Sequence, residues 1–581
     1  MGVIVSSSSV GRHRASLVVS VTRGRSLGRS RERACEAYGE KEGARASRTM
    51  ASTTSATTSA TTTRRDDGGL RRRRFGPRRR GGPRGTASRL PSTSPSSSAS
   101  ASDVFRALLD RALEDGTRAR EDIIDVGARE RDGARVPGVT ARRDVEAGTA
   151  LVTRSVASTA FDATYARECA SIALSRAIDA HEGTVERAMS DDVVLALALT
   201  AARREPASAS PLLAAYAASL PVDAVSTPAL YEDEAFEALV PLLSLHFVDR
   251  VDAARREFAL AYDDARLTYA RATDGDVLEE REFAWAWSMV RSRAITFEVK
   301  KASTGRIERK RCLVPVCDVF NHSPTSLSGD VDARDGPNVR IETNDAGESM
   351  WTTTRDVAQG DAFRWTYGEL SNEEMWLWYG FVPENPLHGD ASVTFNLPDA
   401  VFANGLNAVA KEDSEETGAL RRRLLERAGA LGLNEGEELS FVVSARAKPT
   451  VLGGVAGLMC CDAEEVVAVA AAATVASKGV GERACLFELK PESRRRAGRY
   501  VAWLLTQVEA FVCGATDEEV AESERVAESV GGVFAERFAT AKRVRLGAQG
   551  TFATAQKSLT DEELLRDGAW IDAAVDALVV R

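Results

Sequence analysis

At 581 residues with 44% hydrophobic side chains, the chain is long enough for more than one domain and apolar enough to build real cores. Its charge is unevenly placed: residues 1–101 hold 21 Lys and Arg against 6 Asp and Glu, so a leader of +15 precedes a body of −24 within the overall −9. An acidic body argues against non-specific nucleic-acid binding, eight cysteines with no CxxC pair argue against a disulfide framework or a zinc site, and the longest apolar runs, near Val193–Ala202 and Val466–Ala476, fall short of the roughly 18 residues that span a bilayer.

Residues 1–101 are rich in Ser, Thr, Arg and Gly, cannot offset the entropy of ordering, and are expected to be disordered. Arg-rich, Ser-rich and acid-poor is the composition of an organelle transit peptide. MASTTSATTSATTTRR, from Met50, is the more typical start of one, so Met50 is expected to be the initiator. Order is expected from Ser102, placed to cap a helix that carries Val104, Phe105, Leu108, Leu109, Ala112 and Leu113 and ends at Gly116. Ile123–Val126 reads as a strand, and Gly138–Thr153 as strand, turn, strand around Gly148. The turn unit RDVEAG, Arg143–Gly148, is echoed by RDVAQG, Arg355–Gly360, and both want glycine at positive φ.

From about residue 161 to 299 the periodicity is mostly helical. Ser190 caps one helix, Pro211 opens another, and Phe283–Phe297 reads as a third whose end delivers Arg293. Lys300–Arg311, basic and glycine-containing, reads as an exposed loop. Cys312–Val316 is a short apolar run that meets an abrupt polar turn, the pattern of a buried strand, with Asn321 and His322 just past its end. Phe363, Trp365 and Tyr367 alternate with Arg364 and Thr366, a second strand. Ser371 with Glu374 is a capping box for a short helix that stops near Gly380 and carries Tyr379. Two tyrosines, Tyr367 and Tyr379, are thereby expected to converge near Asn321 and His322. Beyond Pro398, the segments Leu420–Leu431, Ala463–Ala476, Ser493–Val512, Thr516–Thr540 and Thr560–Val580 all read as helices.

The stretches CLVPVCDVFNHSP from Cys312 and RDVAQGDAFRWTYGELSNEEMWLWYGF from Arg355 resemble the C-terminal half of a SET domain, and most closely the family of the Rubisco large-subunit lysine methyltransferase. FAWAWSMVRSRAI from Phe283, YAASLP from Tyr216 and TPALYEDEAFEAL from Thr227 fit the same family, so the resemblance covers most of residues 102–398; beyond, it rests on the helical pattern and on FVVSARAKP from Phe441. It implies an α+β fold: a leader over 1–101, a β-rich SET domain over 102–398 with a helical insertion at about 161–299, and an all-α substrate-binding domain over 399–581. It implies an S-adenosylmethionine-dependent protein-lysine N-methyltransferase with no metal. The partner would be a folded protein, the Rubisco large subunit or another stromal enzyme, in the chloroplast stroma; the cytoplasm is the alternative location.

By the same resemblance Tyr367 takes the catalytic position, Arg293, Asn321, His322 and Gly138 hold the cofactor, and Asp318, Tyr379 and Phe297 line the substrate channel. The chain departs from the family at Gly133–Ala141, where Val136 and Pro137 stand in a segment that is usually glycine-rich, and Pro137 offers no N–H. A catalytically silent SET-like binding module is the competing reading. Protein-histidine methylation is the lesser one, since Leu370 stands where the actin-histidine branch has arginine.

Overall fold

The computed structural model describes residues 4–5 and, from 101 to 579, all but 132–133, 156–159, 186–187, 301–305, 326–335, 345–347, 389–390, 399–400, 403–412, 432–437, 478–487, 561 and 565–567. The expected disordered leader and the Met50 start lie outside the described residues, except that Ile4 and Val5 run parallel to Thr296 and Phe297.

The first ordered element is helix α1, Ala101–Glu114, which starts one residue before the expected cap at Ser102 and is followed by a turn at Gly116, φ +89. Strand β1 (Arg118–Ala119) leads to the hairpin β2 (Ile124–Arg131) and β3 (Ala134–Ala141), paired over eight residues. β4 (Ala150–Ser155) then enters a four-stranded antiparallel sheet with β8 (Val339–Thr343) and β9 (Glu348–Thr353), in the order β1-β4-β9-β8. The two echoing turns face each other. Val145 pairs with Val357, Asp356 accepts from the Ala147 N–H at 2.8 Å, and Asp144 accepts from the Gln359 N–H at 2.8 Å. Gly148 and Gly360 sit at φ +82 and +84, where a Cβ would be strained, so glycine at both is a backbone requirement.

Between these strands lies the helical insertion: α2 (Ala163–Ala170), α3 (Ile172–Val185), α4 (Asp191–Arg204), α5 (Pro211–Ser219), α6 (Asp233–Glu237), α7 (Leu245–Ala272) and α8 (Glu280–Arg293). Ser190 caps α4 and Pro211 opens α5, as the sequence predicts. Two expectations fail here. The Phe283 helix stops at Arg293, and Phe297 lies instead on β5 (Ile295–Lys300). Of the expected loop Lys300–Arg311, residues 301–305 lie outside the described residues and 307–311 form strand β6 (Ile307–Cys312), antiparallel to β5. Its charge misleads because the cations are neutralised sideways: Arg309 pairs with Glu298, Lys310 with Asp162 and Arg311 with Asp192. The apolar run expected as a strand from Cys312 to Val316 keeps only Cys312 in β6. Leu313 exchanges backbone bonds with Phe161, and buried Val316 turns the chain at φ +74.

Helix α9 (Asn372–Tyr379) follows, then a correction to the all-α reading beyond 398. β11 (Ser392–Pro398) pairs residue for residue with β12 (Glu438–Ser444). Leu439, Phe441 and Val443 are buried while Val442 is exposed, the alternation of a half-buried strand. The helices are α10 (Glu415–Arg427), α11 (Thr450–Cys460), α12 (Ala463–Ser477), α13 (Pro491–Val512), α14 (Asp517–Val530), α15 (Gly532–Lys557) and α16 (Ala569–Val579). Gly531 and Gly532, both at positive φ, break the single helix expected from Thr516 to Thr540. Cys460 and Cys461 are buried free thiols. Among the described residues no helix is long and apolar enough to cross a membrane, and no three His, Cys, Asp or Glu gather as metal ligands.

Candidate active site

Asn321 and His322 do not merely follow a strand; they form one. β7 (Asn321–His322) runs parallel to β10 (Arg364–Trp365), with Asn321 opposite Arg364 and His322 opposite Trp365. That register is fixed by the pairing of the residues just before β10 with β3. Ala141 N–H donates to Asp361 O at 2.9 Å and Phe363 N–H to Val139 O at 2.8 Å, which lays residues 361–363 along β3. Buried Phe320 and Phe363, ring centroids 6.4 Å apart, hold the two segments from beneath.

Tyr367 leaves β10 directly over His322. Its N–H donates to Nδ1 of His322 at 3.0 Å, and the two rings lie 5.1 Å apart. Its hydroxyl donates to the Phe320 carbonyl at 3.3 Å, an oxygen that also accepts from the Trp365 indole at 3.0 Å. A hydroxyl that donates inward keeps lone pairs facing outward, so the Tyr367 oxygen is set to accept. Gly368 follows at φ +118, which lets the chain turn sharply from the tyrosine into the helix beyond.

The capping box expected at Ser371 and Glu374 is present in both directions, and α9 ends at Gly380 in the left-handed conformation. That helix brings Tyr379 to 4.8 Å from the Tyr367 ring. Phe381 closes the group at 6.3 Å from His322 and 6.5 Å from Tyr379. Burial, and then the neighbouring Tyr367 phenol, push the Tyr379 pKa above the usual phenol value, so it stays protonated at neutral pH.

Beside this aromatic group lies a buried polar one. Arg293, at the end of α8, donates to the carboxylate and to the carbonyl of Asp318, each at 3.2 Å. Tyr216 on α5 donates its hydroxyl to the same carboxylate at 2.6 Å. Burial disfavours the Arg293 charge, but Asp318, Tyr216 and Tyr367 outweigh it and hold the pKa above the ordinary value. Burial and then Asp318 raise the Tyr216 pKa. Asp318 Oδ1 and Arg293 Nε are buried and, among the described residues, make no hydrogen bond.

Gly138 on β3 lies against Asn321: a Cβ there would come within 2.7 Å of the Asn321 amide nitrogen. The structure thus gathers His322, Tyr367 and Tyr379 into one contact group, places Asn321 next to His322 on β7 with Gly138 against the Asn321 amide, and sets Arg293 with Asp318 alongside. Phe297 is buried in the same core, but among the described residues it makes no ring contact with that group. Tyr216 and Phe381 carry parts of this site that the sequence did not reveal, and Glu373 on α9 is a buried carboxyl that the sequence did not single out. Tyr216 stood in a noted motif without a role. Phe381 ended a noted motif without a role. Glu373, fully buried and accepting from Ser244 Oγ at 2.7 Å, was masked by its neighbour Glu374 as the capping residue.

No family model matches the chain, and no curated protein does. Among solved structures it is similar to the SET domain of LSMT bound to methyllysine and AdoHcy, at 15% identity over 80% of this chain and 93% of that one, TM-score 0.48. It is similar also to Rubisco LSMT bound to AdoMet, at 15% identity over 81% of this chain and 93% of that one, TM-score 0.48. A third is Rubisco LSMT bound to sinefungin and monomethyllysine, at 15% identity over 80% and 93%, with the same TM-score of 0.48. At that identity and score nothing about activity passes from those proteins to this chain.

Proposed function

We propose that this protein is an S-adenosylmethionine-dependent protein-lysine N-methyltransferase. The observation that carries the reading is the parallel register of β7 and β10 together with the Tyr367 N–H on Nδ1 of His322, which brings an imidazole and a phenol 45 positions apart in the chain into contact. Two buried polar atoms, Asp318 Oδ1 and Arg293 Nε, stand without hydrogen bonds among the described residues and fit a polar ligand, and the absent side chain of Gly138 lets the Asn321 amide lie close against β3. Asn321, His322, Arg293 and the Gly138 backbone would hold the cofactor. When bound it supplies a methyl group on a sulfonium.

The chain's own residues do the remainder. The Tyr367 oxygen, its proton committed to Phe320, accepts from the incoming amine and fixes its direction. Tyr379 and Phe381 wall the approach and exclude water, which favours the neutral amine over the ammonium. The acceptor must lose a proton before transfer, since a free lysine titrates at about 10.4.

The basic, serine-rich leader supports a plastid location, and the Rubisco large subunit or another stromal enzyme is the proposed substrate. Incubation with methyl-labelled AdoMet and stromal extract, followed by mass spectrometry, tests this. Label on a lysine of one folded protein is the expected result; no detectable AdoMet binding by titration calorimetry would leave a silent binding module.

A further inference from the structure

The site helix α9 is clamped at both ends by backbone contacts too close for any side chain. At its start, Asn372 is 4% exposed; its amide donates to Pro386 O at 2.9 Å and its carbonyl oxygen bonds His388 Nε2 at 2.8 Å. Gly547 of α15 lies directly on this junction. A Cβ at 547 would come within 2.1 Å of the Asn372 amide nitrogen and 2.9 Å of Pro386 O. One turn on, a Cβ at Gly550 would come within 1.9 Å of Leu387. Residues three apart share a helix face, so α15 presents a bare strip of backbone to the segment that opens and follows α9. At the far end, a Cβ at Gly380 would meet Val225 at 2.6 Å and Ser226 O at 3.0 Å.

The middle of α9 leans on the same partner. Trp376 and Leu377 share one buried cluster with Phe538, Ala541 and Val544 of α15. Arg537 stacks 3.9 Å over the Tyr231 ring, whose hydroxyl accepts from the Trp376 indole at 3.2 Å. An eight-residue helix is a rod of roughly 10 Å with no internal give. A shift imposed at Asn372 is therefore delivered to Tyr379, 4.8 Å from Tyr367.

We propose that Asn372, seated under Gly547, is a positioning residue through which helix α15 sets the place of Tyr379, so that the C-terminal helices tune turnover itself and do not serve only to hold a protein substrate. This rests on the methyltransferase reading. Displacements of about 1 Å at a reacting pair cost up to 10²-fold in rate, and close-packed contacts transmit small shifts without absorbing them.

The test uses the full chain with Gly547→Val, which crowds the junction, and Asn372→Ala, which empties it without a clash. Gly183→Ala, on a helix face open to solvent, is the control. Label transfer from AdoMet into stromal extract is measured at limiting and at saturating extract, beside amide hydrogen exchange of residues 373–380. The expected result is a loss of about 10-fold or more in the saturating rate for both variants, with half-saturation within about twofold of wild type. Exchange at 373–380 should be faster in both, and the control unchanged. A loss confined to half-saturation, or wild-type exchange and rate in Asn372→Ala, would overturn the proposal. If the wild type transfers no label, the enzyme reading falls, while the exchange comparison still decides whether α15 governs α9.

Discussion

The backbone N–H of Tyr367 donates to Nδ1 of His322 at 3.0 Å, so the tyrosine also sets the tautomer of the ring beneath it. Nδ1 must carry a lone pair, which puts the proton of the neutral ring on Nε2. Two motifs 45 positions apart are thus one structural unit, and neither holds its geometry without the other.

The first prediction concerns the Tyr367 hydroxyl. Tyr367→Phe keeps the ring contacts with His322 and Tyr379 and removes the hydroxyl that donates to Phe320. Single-turnover rates should fall about 10²-fold, the scale of one oriented transition-state partner, while AdoMet affinity by calorimetry stays within about twofold. Unchanged rates would remove Tyr367 from the chemistry.

Gly138 permits a cleaner separation of binding from folding. Gly138→Ala places a methyl 2.7 Å from the Asn321 amide nitrogen, the movable end of a side chain. The amide swings away at little cost, so urea unfolding should change by less than about 1 kcal/mol. AdoMet affinity should drop about tenfold, the loss of roughly one hydrogen bond of about 1.4 kcal/mol. Equal affinity in variant and wild type would take Asn321 off the cofactor.

Asp318 is the counter-charge of a buried arginine. Its side chain is 1% exposed and that of Arg293 is 20% exposed. Asp318→Asn keeps the shape, leaves the guanidinium without its anion, and should destabilise the fold by about 3 kcal/mol, the usual range for breaking a buried pair. Denaturant midpoints measure this. A change within about 0.5 kcal/mol would mean that water already screens the pair.

Glu373 predicts a pH dependence. Burial raises its pKa from the ordinary 4.5 to about 7, against the opposing Ser244 hydrogen bond and the Arg250 charge. The native state therefore binds this proton more tightly than the unfolded chain does. The stability it confers is complete below pH 4.5 and is lost as pH rises to about 7. Glu373→Gln mimics the protonated form, so the variant should gain on wild type by up to about 3 kcal/mol between pH 5 and 8. Parallel urea curves at the two pH values would show no such gain if the carboxyl is in fact solvated.

Local chemistry was legible where the determinant was local. The box at Ser371, the cap at Ser190 and the glycine turns at 148 and 360 each depend on a few neighbouring residues, and each stands as read. The convergence of Tyr367 and Tyr379 near His322 was also legible, through the strand alternation that places Tyr367 and the capped helix that carries Tyr379. What escaped depends on distant partners. The strand Ile307–Cys312 looked like a loop because its cations find Asp162, Asp192 and Glu298 only after folding. Tyr216 meets Asp318 across 102 positions, and nothing near Tyr216 says so. Phe297 was placed on a helix because its apolar neighbours continue the helical pattern past Arg293, where the chain becomes a paired strand.

The pairing of β11 with β12 bears on how this protein can be cut. Seven residues, Ser392 to Pro398, are matched one for one by Glu438 to Ser444. A fragment terminated after Pro398 would expose that whole ladder as a raw sheet edge, with buried Val393 and Phe395 stripped of their cover. Such edges recruit other chains, so the shortened product should precipitate or self-associate, and the smallest soluble piece carrying the site must extend past Ser444.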